Sequence, residues 1–309
     1  MAKKSNFQIN LEYYAAWIIL KFLGVLPRRL ALFIGLRFGD IAYFLLGKLK
    51  RTALKNTAIA FPEMAESERK KLVRGNFQNL GRQLVEVSQF PKATRESLEN
   101  IFELSVGDDK WEKYEEIKKS GRGLIFITPH FGGWEVLAFV SFIFLGPQSY
   151  LVRKLDNPRL EKMLAAIRGK FGNQPLDKST GILPALELLR AGGNLGILPD
   201  LNTQRHEGVF VPFFGKDACT TAGVAALAMR TNAIVGLLSA AWDEKKKKYV
   251  ITVDADFELE SSGNRKQDMI DFTARFTKEI ENVIRRHPEQ WFWIHRRWKT
   301  RPKGEPEIY

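Results

Sequence analysis

Cys219 is the only cysteine in this chain of 309 residues. An internal disulfide is thereby excluded, and such sparing use of thiol fits a reducing compartment. Between Ala218 and Thr220 it reads as a packed side chain rather than a nucleophile. Histidine is almost as scarce. His130, His206, His287 and His295 are scattered, and with no second cysteine they offer no ligand set at zinc-site spacing. Long apolar runs are missing too. The best segment, residues 11–26, is broken by Lys21 and falls short of the ~20 clean residues a spanning helix needs. No small-residue cleavage site follows it, so a removable signal peptide is not expected. Internal repeats and low-complexity tracts are absent.

What the chain has in excess is positive charge, net +13. Residues 1–60 carry ten Lys and Arg against Glu12 and Asp40, and residues 285–303 carry seven against Glu289, leaving the middle nearly neutral. Basic ends of this kind suit nucleic acid, an anionic membrane surface or an acidic protein. No nucleic-acid motif accompanies them, and the cations interleave with apolar residues, which favours the membrane over nucleic acid. Residues 11–26 and, beyond Pro27-Arg28-Arg29, residues 30–46 are therefore read as two helices of an N-terminal membrane anchor, domain 1–50, with Lys21 snorkelling. Near the other end Trp291, Trp293 and Trp298 alternate with His295, Arg296 and Arg297. Indoles beside cations suit a membrane interface, with a packed C-terminal cap as the competing reading.

Residues 51–118 look helical and polar, with breaks at Phe61-Pro62-Glu63 and near Pro91. Beyond Gly121 the pattern alternates. Strands are expected at 124–128, 149–153, 195–199, 209–213, 233–240 and 248–255, and helices at 134–145, 158–171, 180–191, 221–231 and 267–286. The Lys245–Lys248 run between two apolar strands reads as a solvated hairpin turn. The alternation predicts an α/β domain over 51–309, a mixed sheet flanked by helices with its site at the strand ends.

One stretch concentrates the chemistry: Gly123–Glu135, G-L-I-F-I-T-P-H-F-G-G-W-E. An apolar strand ends near His130, and a carboxylate, Glu135, follows five residues later. On an unbroken helix that spacing puts the two about 140° apart, so they meet only if His130 lies in the turn and Glu135 in the first helical turn. Gly132 and Gly133 permit so sharp a turn, and their backbone N–H groups are candidates for stabilising an oxyanion. Glu135 on one ring nitrogen would leave the other as a general base. Asp200, ending L-G-I-L-P-D with Asn202 close behind, belongs on the same rim if the sheet is parallel there. It would orient His130 or bind substrate, with loop capping equally weighted. Arg153 and Arg168 are candidate cations for a phosphorylated substrate. The apolar V-F-V-P-F-F at 209–214 lines an acyl groove or belongs to the core.

The segments H-F-G-G-W-E (130–135), V-R-K-L-D-N-P-R-L (152–160) with I-R-G-K-F-G (167–172), G-V-F-V-P-F-F-G-K-D-A-C-T (208–220) and W-I-H-R-R-W-K-T-R-P (293–302) together resemble the lipid A biosynthesis (late) acyltransferases, within the lysophospholipid acyltransferase superfamily. The resemblance runs from about Leu11 to the C-terminus. Two positions depart: Gly133 stands where relatives commonly have a side-chain amide, and Leu201 where Gln often follows the aspartate. The resemblance implies a glycerolipid-acyltransferase-like fold and a His130/Glu135 dyad of the H-x4-D/E type. Arg153, Arg168, Asp200 and Asn202 would be substrate contacts, and no metal or other cofactor is needed. It further implies an O-acyltransferase at the cytoplasmic face of a bacterial inner membrane, moving a fatty acyl chain from acyl carrier protein to a hydroxyl of a lipid A precursor. Alternatives are another glycolipid acceptor (a phosphatidylinositol mannoside or an aminolipid), coenzyme A as donor, or an inactive membrane scaffold.

Overall fold

A computed structural model of the chain describes residues 4–146, 148–178 and 180–309. The first three residues of the expected anchor lie outside these. Helix α1 (Asn6–Val25) starts at Ser5, whose hydroxyl accepts from the Gln8 N–H while Gln8 reaches back to the Ser5 N–H. Pro27 ends it, and α2 (Arg28–Leu45) and α3 (Gly47–Ala60) follow. The expected break at Phe61–Glu63 separates α3 from α4 (Glu66–Gln89), the longest helix. α2 lies directly on α4: a Cβ on Gly81 would fall well inside contact distance of the Gly35 carbonyl, and one on Gly39 would strike the Phe77 carbonyl. Glycine at these points lets two backbones touch.

No single described helix is long and apolar enough to cross a membrane; α2 and α3 pass on length and composition only as a pair bent by 90°. The α/β part of the expectation is borne out. After α5 (Arg95–Glu99) come β1 (Phe102–Leu104), α6 (Asp108–Lys119), β2 (Leu124–Ile127), α7 (Trp134–Leu145), β3 (Ser149–Val152), α8 (Pro158–Arg168), β4 (Gln174–Asp177), α9 (Ile182–Arg190) and β5 (Asn194–Ile197). Then come the hairpin β6 (Gly208–Phe213) and β7 (Lys216–Thr221), α10 (Gly223–Thr231), β8 (Ile234–Asp243), β9 (Lys248–Phe257) and α11 (Arg265–Arg286). Seven strands form one sheet in the order β1-β9-β8-β2-β5-β3-β4, parallel at each described pairing except β8–β9, while β6 and β7 form a separate ribbon. The lysine run is the β8–β9 turn, as expected.

β2 and β5 are central and register-matched: Ile127 stands opposite Ile197. β2 is apolar on both faces, as a central parallel strand covered by helices must be, and β5 buries Leu195 and Ile197. The C-terminal segment corrects an expectation. Trp291, Trp293 and Trp298 are fully buried and pack with Phe213 and Phe214, so they are core, not a membrane belt. V-F-V-P-F-F belongs to the core: Phe213 and Phe214 sit in the same cluster, and Val211 is buried. Cys219 is buried and free.

Candidate active site

β2 and β5 leave the sheet side by side with exits of equal length. Thr128-Pro129-His130 follows Ile127 and Leu198-Pro199-Asp200 follows Ile197, so each third residue arrives at the same level. There the His130 ring Nδ1 lies 2.7 Å from Asp200 Oδ1, and the His130 backbone N–H donates to Asp200 Oδ2 at 2.8 Å. The indole Nε1–H of Trp291 donates to the same Oδ2 at 2.7 Å. Burial would by itself push the Asp200 carboxyl up. The charge and ring of His130 and the donated hydrogen bonds outweigh it and hold the carboxyl below its ordinary value. An ionised Asp200 accepts the hydrogen bond of Nδ1–H, which fixes the tautomer and leaves the Nε2 lone pair of His130 as the basic edge. Phe292 stacks on the ring with centroids 5.8 Å apart, and Trp134 flanks it at 5.7 Å.

Glu135 is placed differently from the expectation. Among the described residues no hydrogen bond joins it to His130. Its carboxylate is held in a fork by Arg168, from Nε at 3.1 Å to Oε2 and from Nη2 to Oε1. Burial alone would lower the Arg168 pKa, but the carboxylate beside it raises it, so the guanidinium is firmly charged. The reason is geometric. Glu135 sits in the first turn of α7 and points across the cavity to the last turn of α8, whereas His130 is claimed from the other side by β5.

At the Gly132–Gly133 turn, expected to serve an oxyanion, the two glycine N–H groups are engaged within the protein. Gly132 does turn the chain, with φ +53°, against the Ala240 carbonyl. Its N–H donates to the Gln290 carbonyl at 3.0 Å and that of Gly133 to the Ala240 carbonyl at 2.7 Å. Neither is free to meet a substrate. Instead, the turn is clamped from α4: Gln83 and Asn79 donate to the Gly132 carbonyl, Asn79 also to Gln290, and Asn76 to Trp291. The Phe292 N–H closes the clamp on the His130 carbonyl at 3.0 Å.

His130, Glu135, Arg153, Arg168 and Asn202 all line one cavity of about 640 Å³ with Trp134 and Lys178. Arg153 is a rim residue, highly exposed and paired to Asp156 at 3.1 Å. Asn202 is held to Thr300 in both directions, its amide donating to the hydroxyl and its carbonyl accepting the backbone N–H. The amide residues of α4 were missed from sequence. Their spacing, N-x-x-N-x-x-x-Q at 76–83, is a polar stripe at helical period, a signal that reads equally as a solvated face.

A mostly parallel sheet carrying a histidine–carboxylate pair and a lined, partly apolar cavity at its strand ends has the form of an α/β enzyme site. The chain belongs to the bacterial lipid A biosynthesis acyltransferase family, whose model matches residues 1–300. It is 26% identical to a lipid A biosynthesis palmitoleoyltransferase of Escherichia coli K12 over 99% of this chain and 98% of that one. It is also 26% identical to the lauroyltransferase of the same organism over 100% and 99% of the two chains. A lipid A biosynthesis myristoyltransferase, again of Escherichia coli K12, is 25% identical over 96% and 91%.

Proposed function

We propose that this protein transfers a fatty acyl chain from an acyl carrier protein thioester to a hydroxyl of a lipid A precursor, working at the cytoplasmic face of a bacterial inner membrane. The observation that carries the reading is the His130–Asp200 pair opening into the 640 Å³ cavity, in a chain of this family. In the proposed mechanism His130 Nε2 removes the acceptor hydroxyl proton, while Asp200 holds the ring and stabilises the imidazolium. The alkoxide attacks the thioester carbonyl. The tetrahedral intermediate collapses with loss of the thiolate, which takes the proton back from His130. One C–O bond forms, one C–S bond breaks, and ester and thiol leave. With the Gly132 and Gly133 N–H groups committed elsewhere, positive charge for the oxyanion comes from Arg168 and the amino-terminal end of α7. Glu135 then acts by holding Arg168, whose Nη1 has no partner among the described residues and is available to a phosphorylated acceptor.

Membrane association is supported by exposed apolar side chains on α1 and α2, among them Phe7, Leu11, Ile18, Phe22, Phe33, Phe44 and Leu45. Leu155 and Ile182, also exposed, line the cavity mouth, and Asn157 beside Leu155 donates to the α1 carbonyl of Ile9 at 2.9 Å. The mouth therefore adjoins the same apolar face, which suits a lipid acceptor. Mass spectrometry of products from purified protein, acyl carrier proteins of defined chain length and a lipid A precursor is expected to find one added acyl ester. Acylation of a mannolipid or aminolipid in its place would move the assignment to that acceptor.

A further inference from the structure

A second hollow, of about 790 Å³, lies on the far side of α8 from the catalytic cavity. Its walls are α1 (Tyr13, Trp17, Leu20) and α8 (Met163, Ile167), and its floor is the end of α4 and Pro91. That floor is rigid. Gly24 of α1 meets α4 where a Cβ would lie 2.7 Å from the Ser88 carbonyl, and Lys170 Nζ donates to the Pro91 carbonyl at 2.9 Å. Four cations surround the apolar lining: Lys21, Lys92, Arg159 and Lys162. Among the described residues no Asp or Glu lines it. Arg159 is spread over the Tyr13 and Tyr14 rings, 4.0 and 4.9 Å from their centroids. Lys21 and Lys162 have no ion partner among the described residues.

We propose that this groove binds one anionic phospholipid of the membrane, with its phosphate among Lys21, Lys162 and Arg159 and an acyl chain along Trp17, Leu20 and Ile167. Charge complementarity selects the occupant. An apolar slot with an all-cationic rim stabilises a molecule that is acidic at one end and greasy at the other, and a volume of this size accommodates such a chain. Its location selects the source, because the outer surface of α1 carries exposed Leu11, Ile18 and Phe22 beside the opening. This rests on the reading of α1 as membrane-embedded.

The test uses full-length protein in non-ionic detergent, titrated with phosphatidylglycerol or with phosphatidylcholine of the same chains, and native mass spectrometry to count retained lipid. One phosphatidylglycerol is expected to be retained in preference to phosphatidylcholine. Lys21→Gln with Lys162→Gln should weaken retention about tenfold or more, with acyl transfer in detergent unchanged. Brominated phosphatidylglycerol should quench fluorescence that Trp17→Phe removes. Equal retention of the two lipids, or equal retention by wild type and the double variant, overturns the proposal. So does a double variant that keeps its lipid and loses acyl carrier protein instead, which would make the groove a protein-docking surface. If the double variant still floats with vesicles while lipid selectivity is absent in both proteins, the groove proposal falls and the membrane reading of α1 stands.

Discussion

His130 has one ring nitrogen committed to Asp200, whereas Glu135 is committed to Arg168. Substitutions should therefore separate two carboxylates that the sequence offers as rivals. His130→Ala and Asp200→Asn are each expected to lower transfer by about 10²–10⁴-fold, the first by removing the base and the second by losing its tautomer. Glu135→Gln should raise acceptor KM and lower kcat several-fold by loosening the Arg168 fork. Steady-state kinetics at several acceptor concentrations decide it: near-wild-type rates in Asp200→Asn, with Glu135→Gln as damaging as His130→Ala, would return the orienting role to Glu135. His295 offers a second test. Its Nδ1 is buried without a partner among the described residues, and burial pushes the ring pKa down to about 4. Since the unfolded ring titrates near 6.5, the unfolded state gains a proton first as pH falls. Stability should decline between about 6.5 and 4, by up to roughly 1.4 kcal/mol per pH unit. Asp200, lowered from 3.8, adds its loss only further into acid. Melting curves across that window should flatten in His295→Gln; an unchanged slope would assign it to other groups.

Among the elements, α4 joins the helical and catalytic parts. One face meets α2 through Gly81, and the other clamps the catalytic turn with Asn76, Asn79 and Gln83. Gln83→Leu keeps side-chain bulk and removes the amide that donates to the Gly132 carbonyl, which retains Asn79 as a donor. Its effect on melting should be small, a few degrees at most, while kcat falls about tenfold with KM nearly unchanged, because only the turn behind His130 relaxes. A large melting shift with kinetics intact would make Gln83 purely structural. Much of this scale was legible in the sequence. Pro27 and Pro62 mark real helix boundaries, and the expected strands at 124–128, 195–199 and 209–213 each lie within a residue or two of β2, β5 and β6. The missed strands have physical excuses. β1 is three residues long, β4 contains Pro175 and survives because it is an edge strand, and β7 reads K-D-A-C-T-T, too polar and small to signal burial. The partner of His130 was harder to read, because it depends on which strands are neighbours. H-x4-E is local, but Asp200 reaches His130 only through the β2–β5 register. The tryptophans misled because indoles and arginines have the same composition at a bilayer surface and in a core that holds a buried guanidinium, and Arg297 proves fully buried over Phe213.

For the whole molecule, the exposed apolar surface gathers on α1, α2 and the cavity mouth rather than being scattered. Deleting residues 1–26 is expected to reduce vesicle flotation without abolishing it, because Phe33, Phe44 and Leu45 of α2 remain exposed. Adding Phe44→Asp and Leu45→Asp should release the rest. Circular dichroism would confirm that the sheet persists, although loss of the buried Leu23 of α1 should lower the melting temperature. Intact protein that stays at the bottom of the flotation gradient would remove the membrane face from the proposal.

The equal exits of β2 and β5, I-T-P-H and I-L-P-D, place His130 and Asp200 by counting residues from a shared register. Side-chain identity at Thr128 or Leu198 contributes little to that placement. A site built by counting is tolerant of spelling and intolerant of length: one residue inserted into a single exit would carry its functional group past the partner, and the same insertion made in both would bring them level again.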